Sequence, residues 1–147
     1  MRHKFLLLLT IFLALSCDNS TSDRNPYLVE PKFSYDINLN LPQYGNLNTP
    51  GSAIYIGGTN VGIKGIIVIN QGFGNFLAWE ASCPNHTPSA CSTMKIEGGV
   101  NCRCSCDDYL YSLVNGAILS ELPEGERAYG LLNYQVTGSG TILRVSN

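Results

Sequence analysis

The sequence is short of histidine, of charge and of long apolar runs. Its 147 residues hold two histidines, His3 and His86, and 14% Asp, Glu, Lys and Arg. No Gly-x-Ser-x-Gly turn and no phosphate-binding loop occurs, and no second histidine stands near His86, so catalysis by side chains alone is not expected. The apolar run Phe5–Leu15 is eleven residues long, well under the roughly 18 that a permanent membrane helix needs. No stretch has a sustained helical period, which excludes a helix bundle. Nine Lys and Arg stand against eleven Asp and Glu without a basic cluster, so nucleic acid is not an expected partner. There is no internal repeat.

What is present at the start is a secretory signal by its parts. A short basic stretch, Met1-Arg2-His3-Lys4, precedes the apolar run, and small residues follow it. Ala14-Leu15-Ser16-Cys17 resembles the lipobox of bacterial lipoprotein precursors, in which the cysteine is acylated and becomes the new N-terminus. That resemblance implies a signal peptide over residues 1–16, lipidation at Cys17, and a membrane-anchored protein of the cell envelope facing periplasm or exterior. Each buried methylene of an acyl chain contributes about 0.8 kcal/mol, so several chains hold firmly where one binds marginally. Residues 17–34, polar and with two prolines, are expected to be the lipidated cysteine and its tether. Loss of residues 1–16 removes Arg2 and Lys4, leaving seven basic against eleven acidic residues, a net charge of −4.

Residues 35–147 suffice for one domain. The stretch 35–41 alternates apolar and polar with the period of a half-buried strand, and Pro42 ends it. Further β-rich runs are expected at 53–56, 61–69, 76–81, 109–114, 131–136 and 141–145, divided by Gly and Asn turns. Gly138-Ser139-Gly140 reads as a tight hairpin. The fold class is therefore all-β, sandwich or barrel-like.

Five of the six cysteines lie between residues 83 and 106, in Ser82-Cys-Pro-Asn-His-Thr-Pro-Ser-Ala-Cys91 and Asn101-Cys-Arg-Cys-Ser-Cys-Asp-Asp108. The chain is expected to leave the cytoplasm for an oxidising compartment, in which disulfides form and persist. Thiolates with an imidazole nearby also suit zinc or an iron–sulfur cluster. Five cysteines after Cys17 is an odd number, so simple pairing leaves one over.

The two loops resemble those of the Rieske family, which carry a Cys-x-His pattern and, further on, a Cys-x-x-His pattern. Members often read Cys-Pro-Cys-His-Gly-Ser-x-Phe-Asp-x-x-x-Gly in the second loop, and here stands Cys104-Ser-Cys106-Asp107-Asp108-Tyr-Leu-Tyr111-Ser-Leu-Val-Asn-Gly116. Cys83 and Cys104 then fall on ligand positions, Cys91 and Cys106 on those of a loop-bridging disulfide, and Gly116 on the turn glycine. The segment 122–143 looks like the family's closing loop and hairpin. The implied fold is a small antiparallel sheet sandwich with two cysteine-bearing loops, over residues 35–147. The implied cofactor is a [2Fe-2S] cluster, and the implied role is one-electron transfer to an unknown redox partner or envelope protein, without enzymatic activity of its own.

A Rieske centre takes two histidines on one iron, whereas His86 is the only histidine after residue 16. Asn85 stands at the first histidine position, with His86 one residue late, and Asp107 stands at the second. Three readings follow. A cluster would be held by Cys83, His86 and Cys104 with Asp107 or Cys102 as fourth ligand, its potential lowered by the added negative charge. Alternatively, the domain is cluster-free, stapled by Cys91–Cys106 with Cys83–Cys104 as an optional second bridge, each contributing about 2 to 4 kcal/mol, and serves as a binding or interaction lipoprotein. A structural zinc on the same donors ranks third, because the spacing is unusual for a zinc module.

Other features read as scaffold. Asp107-Asp108 suits a solvated turn, 121–126 a surface loop and Trp79 a core position. Tyr27, Phe33, Tyr35 and Tyr44 fit either a carbohydrate or partner surface or simple packing.

Overall fold

A computed structural model describes residues 24–147. The expected signal peptide and the lipidated Cys17 lie outside the described residues. Within them the chain is all-β, as its sequence pattern predicts: nine strands in two antiparallel sheets. The strands are β1 (Ser34–Asn38), β2 (Ala53–Ile56), β3 (Ile66–Gly72), β4 (Asn75–Glu80), β5 (Lys95–Glu97), β6 (Asn101–Arg103), β7 (Leu110–Ser112), β8 (Asn133–Ser139) and β9 (Ile142–Ser146). Six of them form one sheet in the order β1-β9-β8-β4-β3-β2, and β5-β6-β7 form the other.

β3 organises the molecule. Its Ile-Ile-Val-Ile run is β-branched throughout, which suits a central strand buried on both faces. Side chains alternate across a strand, so Ile66 and Val68 enter one core with Ile37, Leu47, Tyr134 and Val145, while Ile67 and Ile69 enter a second with Trp79, Met94, Tyr111 and Leu113. The first core fills the curl of the six-stranded sheet. The second lies on the opposite face of β3, takes in residues of β6 and β7, and carries the cysteines.

Several sequence expectations shift. The run 61–69 is not all strand: residues 61–65 form a loop around Glu80, whose fully buried carboxylate accepts from Ile63 N (2.7 Å), Lys64 N (2.9 Å), Ser82 N (2.8 Å) and the Tyr134 hydroxyl (2.6 Å). Gly62, at φ +60°, lets this loop close, since a Cβ there would stand 2.6 Å from Glu80 Oε2. The first strand stops at Asn38, four residues short of Pro42, and Pro42 instead opens a 3-10 helix, Pro42–Asn48, where no helical element was expected. Proline fits there because the first helical N–H groups have no intrahelical partner. The expected 109–114 strand is only Leu110–Ser112, and the expected 131–136 strand starts later and runs to Ser139, with its hairpin turn at residues 140–141.

The packed part of the chain starts earlier than residue 35. Asn25 Nδ2 donates to Pro84 O at 2.7 Å, Leu28 is buried, and Tyr27 meets Tyr129 edge to face at 6.1 Å. Part of what reads as tether thus lies against the domain, Asn25 on the first cysteine loop and Tyr27 on the closing segment. The aromatic group is mainly packing: Phe33 stacks edge-on with Tyr134, and the Tyr35 and Tyr44 hydroxyls share a 2.6 Å hydrogen bond.

Candidate functional site

Two loops meet above the second core. The first leaves β4 and spans residues 81–94. Its ends are held by Met94 N donating to Ala81 O and Cys83 N donating to Ser92 O, both at 2.8 Å. The second leaves β6 and turns back into β7. There Cys104 N donates to Tyr109 O (2.9 Å) and Asp108 N to Cys104 O (3.1 Å). Arg103 ties this turn to β5, pairing with Glu97 at 2.8 Å and Asp108 at 3.4 Å. The two adjacent carboxylates are therefore turn residues, with Asp107 Oδ1 accepting from Tyr109 N at 3.1 Å.

Two disulfides cross between the loops: Cys83–Cys104, with Cα atoms 5.5 Å apart, and Cys91–Cys106, at 5.3 Å. Cys83 and Cys104 are fully buried, while Cys91 and Cys106 are exposed. The Cys91–Cys106 bridge of the cluster-free reading is present, and so is Cys83–Cys104, its optional second bridge. The sulfurs of Cys83, Cys104 and Cys106 and a ring nitrogen of His86 all lie within 4.8 Å of one another. His86 Nε2 is 3.4 Å from Cys104 Sγ, and the Cys106 amide points at the same sulfur from 3.4 Å. The other ring nitrogen, Nδ1, stands 3.0 Å from Thr87 O. A carbonyl only accepts, so the Thr87 contact is a hydrogen bond when Nδ1 carries a proton.

Of the residues read as ligands from sequence, Cys83, His86 and Cys104 converge, whereas the two candidates for fourth ligand do not join them. Asp107 lines a shallow pocket beside His86 with Asn85, Tyr109 and Arg127, its carboxylate engaged at Tyr109 N. Cys102 sits in mid-β6, opposite Tyr111, and faces the second core with its sulfur 3.6 Å from Met94 Sδ. Burial, with a smaller push from the Glu97 charge, raises its thiol to about 12. Cys106 is instead the fourth member of the group, which spacing alone could not show, because a turn brings it back over Cys104.

Asn85, at the position where the resemblance would place a histidine, is a structural residue. Its Oδ1 accepts from Tyr129 N at 2.7 Å, and its Nδ2 donates to Tyr129 O at 3.1 Å and to the Tyr111 hydroxyl at 2.8 Å. An amide offers donor and acceptor side by side on one carbon and so mimics a strand neighbour for the closing segment, whereas the donor and acceptor of a neutral imidazole sit on separate ring nitrogens that point apart. Burial holds the Tyr111 phenol above its ordinary range, against the opposing effect of Asn85. Trp79 is core as expected, donating to Leu113 O at 2.8 Å. Gly116, the turn glycine, has φ +75° and lies flat against the Trp79 ring, where a Cβ would come within 2.7 Å.

The sequence matches no family model and no curated protein. A [2Fe-2S] centre needs four free donors across two irons. Here the two cysteines at ligand positions are bonded to each other, and Asn85 and Asp107 spend their polar atoms on the loops' own backbone. The residues as arranged do not fit that cluster. With its thiols reduced, the Cys83, His86, Cys104 and Cys106 group would offer three sulfurs and one nitrogen, a donor set that suits zinc.

Proposed function

We propose that the chain is a lipid-anchored envelope protein whose mature part is a Rieske-like domain without a cluster, its cysteine corner closed by disulfides and serving as a binding or interaction module. The observation that carries this reading is the Cys83–Cys104 bond, which joins the two residues the resemblance places as cluster ligands. Asn85 and Asp107 support it, because each has taken a structural task at a former histidine position. The anchor rests on the sequence before Cys17 and on the lipobox resemblance.

The test is to produce the full chain in a bacterium with iron available and to record visible and low-temperature EPR spectra, iron and sulfide content, and thiol counts. The expected product is colourless and iron-free, with Cys102 as the one thiol of the domain that reacts after unfolding. A brown protein with bound iron and a rhombic EPR signal overturns the proposal in favour of an electron carrier with altered ligands. For the anchor, Cys17→Ala is expected to release the protein from membranes; retention on the membrane counts against lipidation.

A further inference from the structure

The two disulfides differ in access and yet touch. Cys91–Cys106 lies on the surface, Cys83–Cys104 has no exposed atom to speak of, and Cys106 Sγ stands within 4.8 Å of both buried sulfurs. Thiol–disulfide exchange requires a thiolate to reach a sulfur directly, and its rate depends on which sulfur is attacked and on how well the departing one is stabilised. A reductant in solution can reach the outer bond. The inner bond has one sulfur neighbour able to attack it once freed, which is Cys106.

We infer that Cys83–Cys104 is a reducible redox centre, reached by external dithiols through exchange with the exposed Cys91–Cys106 bond. The inference rests on the cluster-free reading, since it needs Cys83 and Cys104 free of metal. A donor thiolate attacks Cys91 Sγ, a donor–Cys91 disulfide forms, and Cys106 leaves as a thiolate. The donor's second thiolate attacks the donor sulfur of that mixed disulfide, so the donor departs oxidised and Cys91 is freed. Cys106 then attacks Cys83 Sγ: the Cys83–Cys106 bond forms, the Cys83–Cys104 bond breaks, and the electron pair goes to Cys104. That leaving sulfur is the one faced by the Cys106 amide and by His86 Nε2. The amide supports the developing negative charge. Once the sulfur takes a proton, its S–H lies within reach of the His86 ring. Finally Cys91 attacks Cys106, the outer bond re-forms, and Cys83 leaves and is protonated. The sum is one dithiol oxidised and one inner disulfide reduced, with two electrons and two protons transferred. Cys102 stays outside the sequence of exchanges, because it is buried against Met94.

The experiment uses the full chain, in the presence of a metal chelator, with one equivalent of dithiothreitol, acid quenching at intervals, and differential alkylation read by peptide mass mapping. Free Cys83 and Cys104 are expected to accumulate while Cys91–Cys106 persists, with a transient Cys83–Cys106 species at early times. In the Cys91→Ser/Cys106→Ser double variant, reduction of the inner bond is expected to slow by roughly tenfold or more, since the relay is lost and the buried bond offers no direct access. Accumulation of free Cys91 and Cys106 with the inner bond intact overturns the inference, as does unchanged inner reduction in the double variant. The wild-type order of appearance decides the matter even if the double variant does not fold. Iron content measured on the same preparation before chelator is added separates the two levels: bound iron removes the cluster-free reading itself, whereas an iron-free protein that reduces only its outer bond removes the relay alone.

Discussion

Asn85 and Tyr129 pair as two strand residues would, one through its side chain and the other through its backbone. Oδ1 takes the Tyr129 N–H and Nδ2 gives to the Tyr129 carbonyl. This contact crosses 44 residues and ties the closing segment to the first cysteine loop. Asn85→Ala leaves both backbone groups and the Tyr111 hydroxyl without their partner, and each net hydrogen bond of this kind is worth about 1 kcal/mol. A loss of about 2 to 3 kcal/mol in chemical denaturation is expected, with both disulfides intact. Asn85→Asp keeps the acceptor and loses both donor contacts, so it is expected to be destabilising as well.

Gly116 and the Trp79 ring make a second local test. Gly116→Ala would place a methyl group 2.7 Å from the indole at a φ of +75°, combining overpacking with backbone strain of about 1 to 3 kcal/mol each. The expected outcome is a melting temperature lowered by several degrees and a shifted Trp79 emission. Trp79 is the only tryptophan, so the fluorescence reports this site directly.

Glu80 is the buried carboxylate on which the 61–65 loop is built. Glu80→Ala strands three backbone amides and the Tyr134 hydroxyl and is expected to cost about 3 kcal/mol or more, since hydrogen bonds to a charged acceptor are the stronger kind. Glu80→Gln keeps the shape but turns an NH₂ toward a donor, so it is expected to lie between wild type and the alanine variant. Hydrogen exchange at Ile63 and Lys64 measures both.

Cys102 gives the protein an alkaline dependence. Burial raises its folded pKa from the ordinary 9.0 to about 12, so the folded state holds a proton that the unfolded state releases. Stability is unaffected by this group below pH 9 and falls as pH rises from about 9 to 12. The Tyr111 and Tyr134 phenols, also raised by burial, add to the fall at the upper end. Cys102→Ala is expected to flatten the slope of stability against pH just above 9, whatever it does to stability at neutral pH. An unaltered slope would remove Cys102 as its cause.

The parts of the fold that were legible in the sequence are those where local pattern and tertiary role agree. Ile66 to Ile69 are β-branched and buried, and alternating residues 35–38 do form β1. The run 61–65 was misleading because Val61 and Ile63 look like strand while Glu80, far along the chain, draws their backbone into a loop. Strands β5 and β6 were not foreseen, since three residues each is too short for periodicity to register. At the site, the two cysteine loops and the convergence of Cys83, His86 and Cys104 were readable. The turn that brings Cys106 back over Cys104 was not, and the strand alternation that points Cys102 into the core becomes visible only once β6 is recognised as a strand.

Because β3 gives alternate residues to the two cores, neither core can come apart while the other keeps its register. A slip of one residue along β3 would exchange Ile66 and Val68 for Ile67 and Ile69 and mismatch both sides at once. The disulfide-bearing side is therefore mechanically continuous with the far sheet. Force applied to the chain ahead of β1 would therefore reach the first cysteine loop directly, through the Asn25–Pro84 hydrogen bond, as well as the rim where β1 pairs with β9.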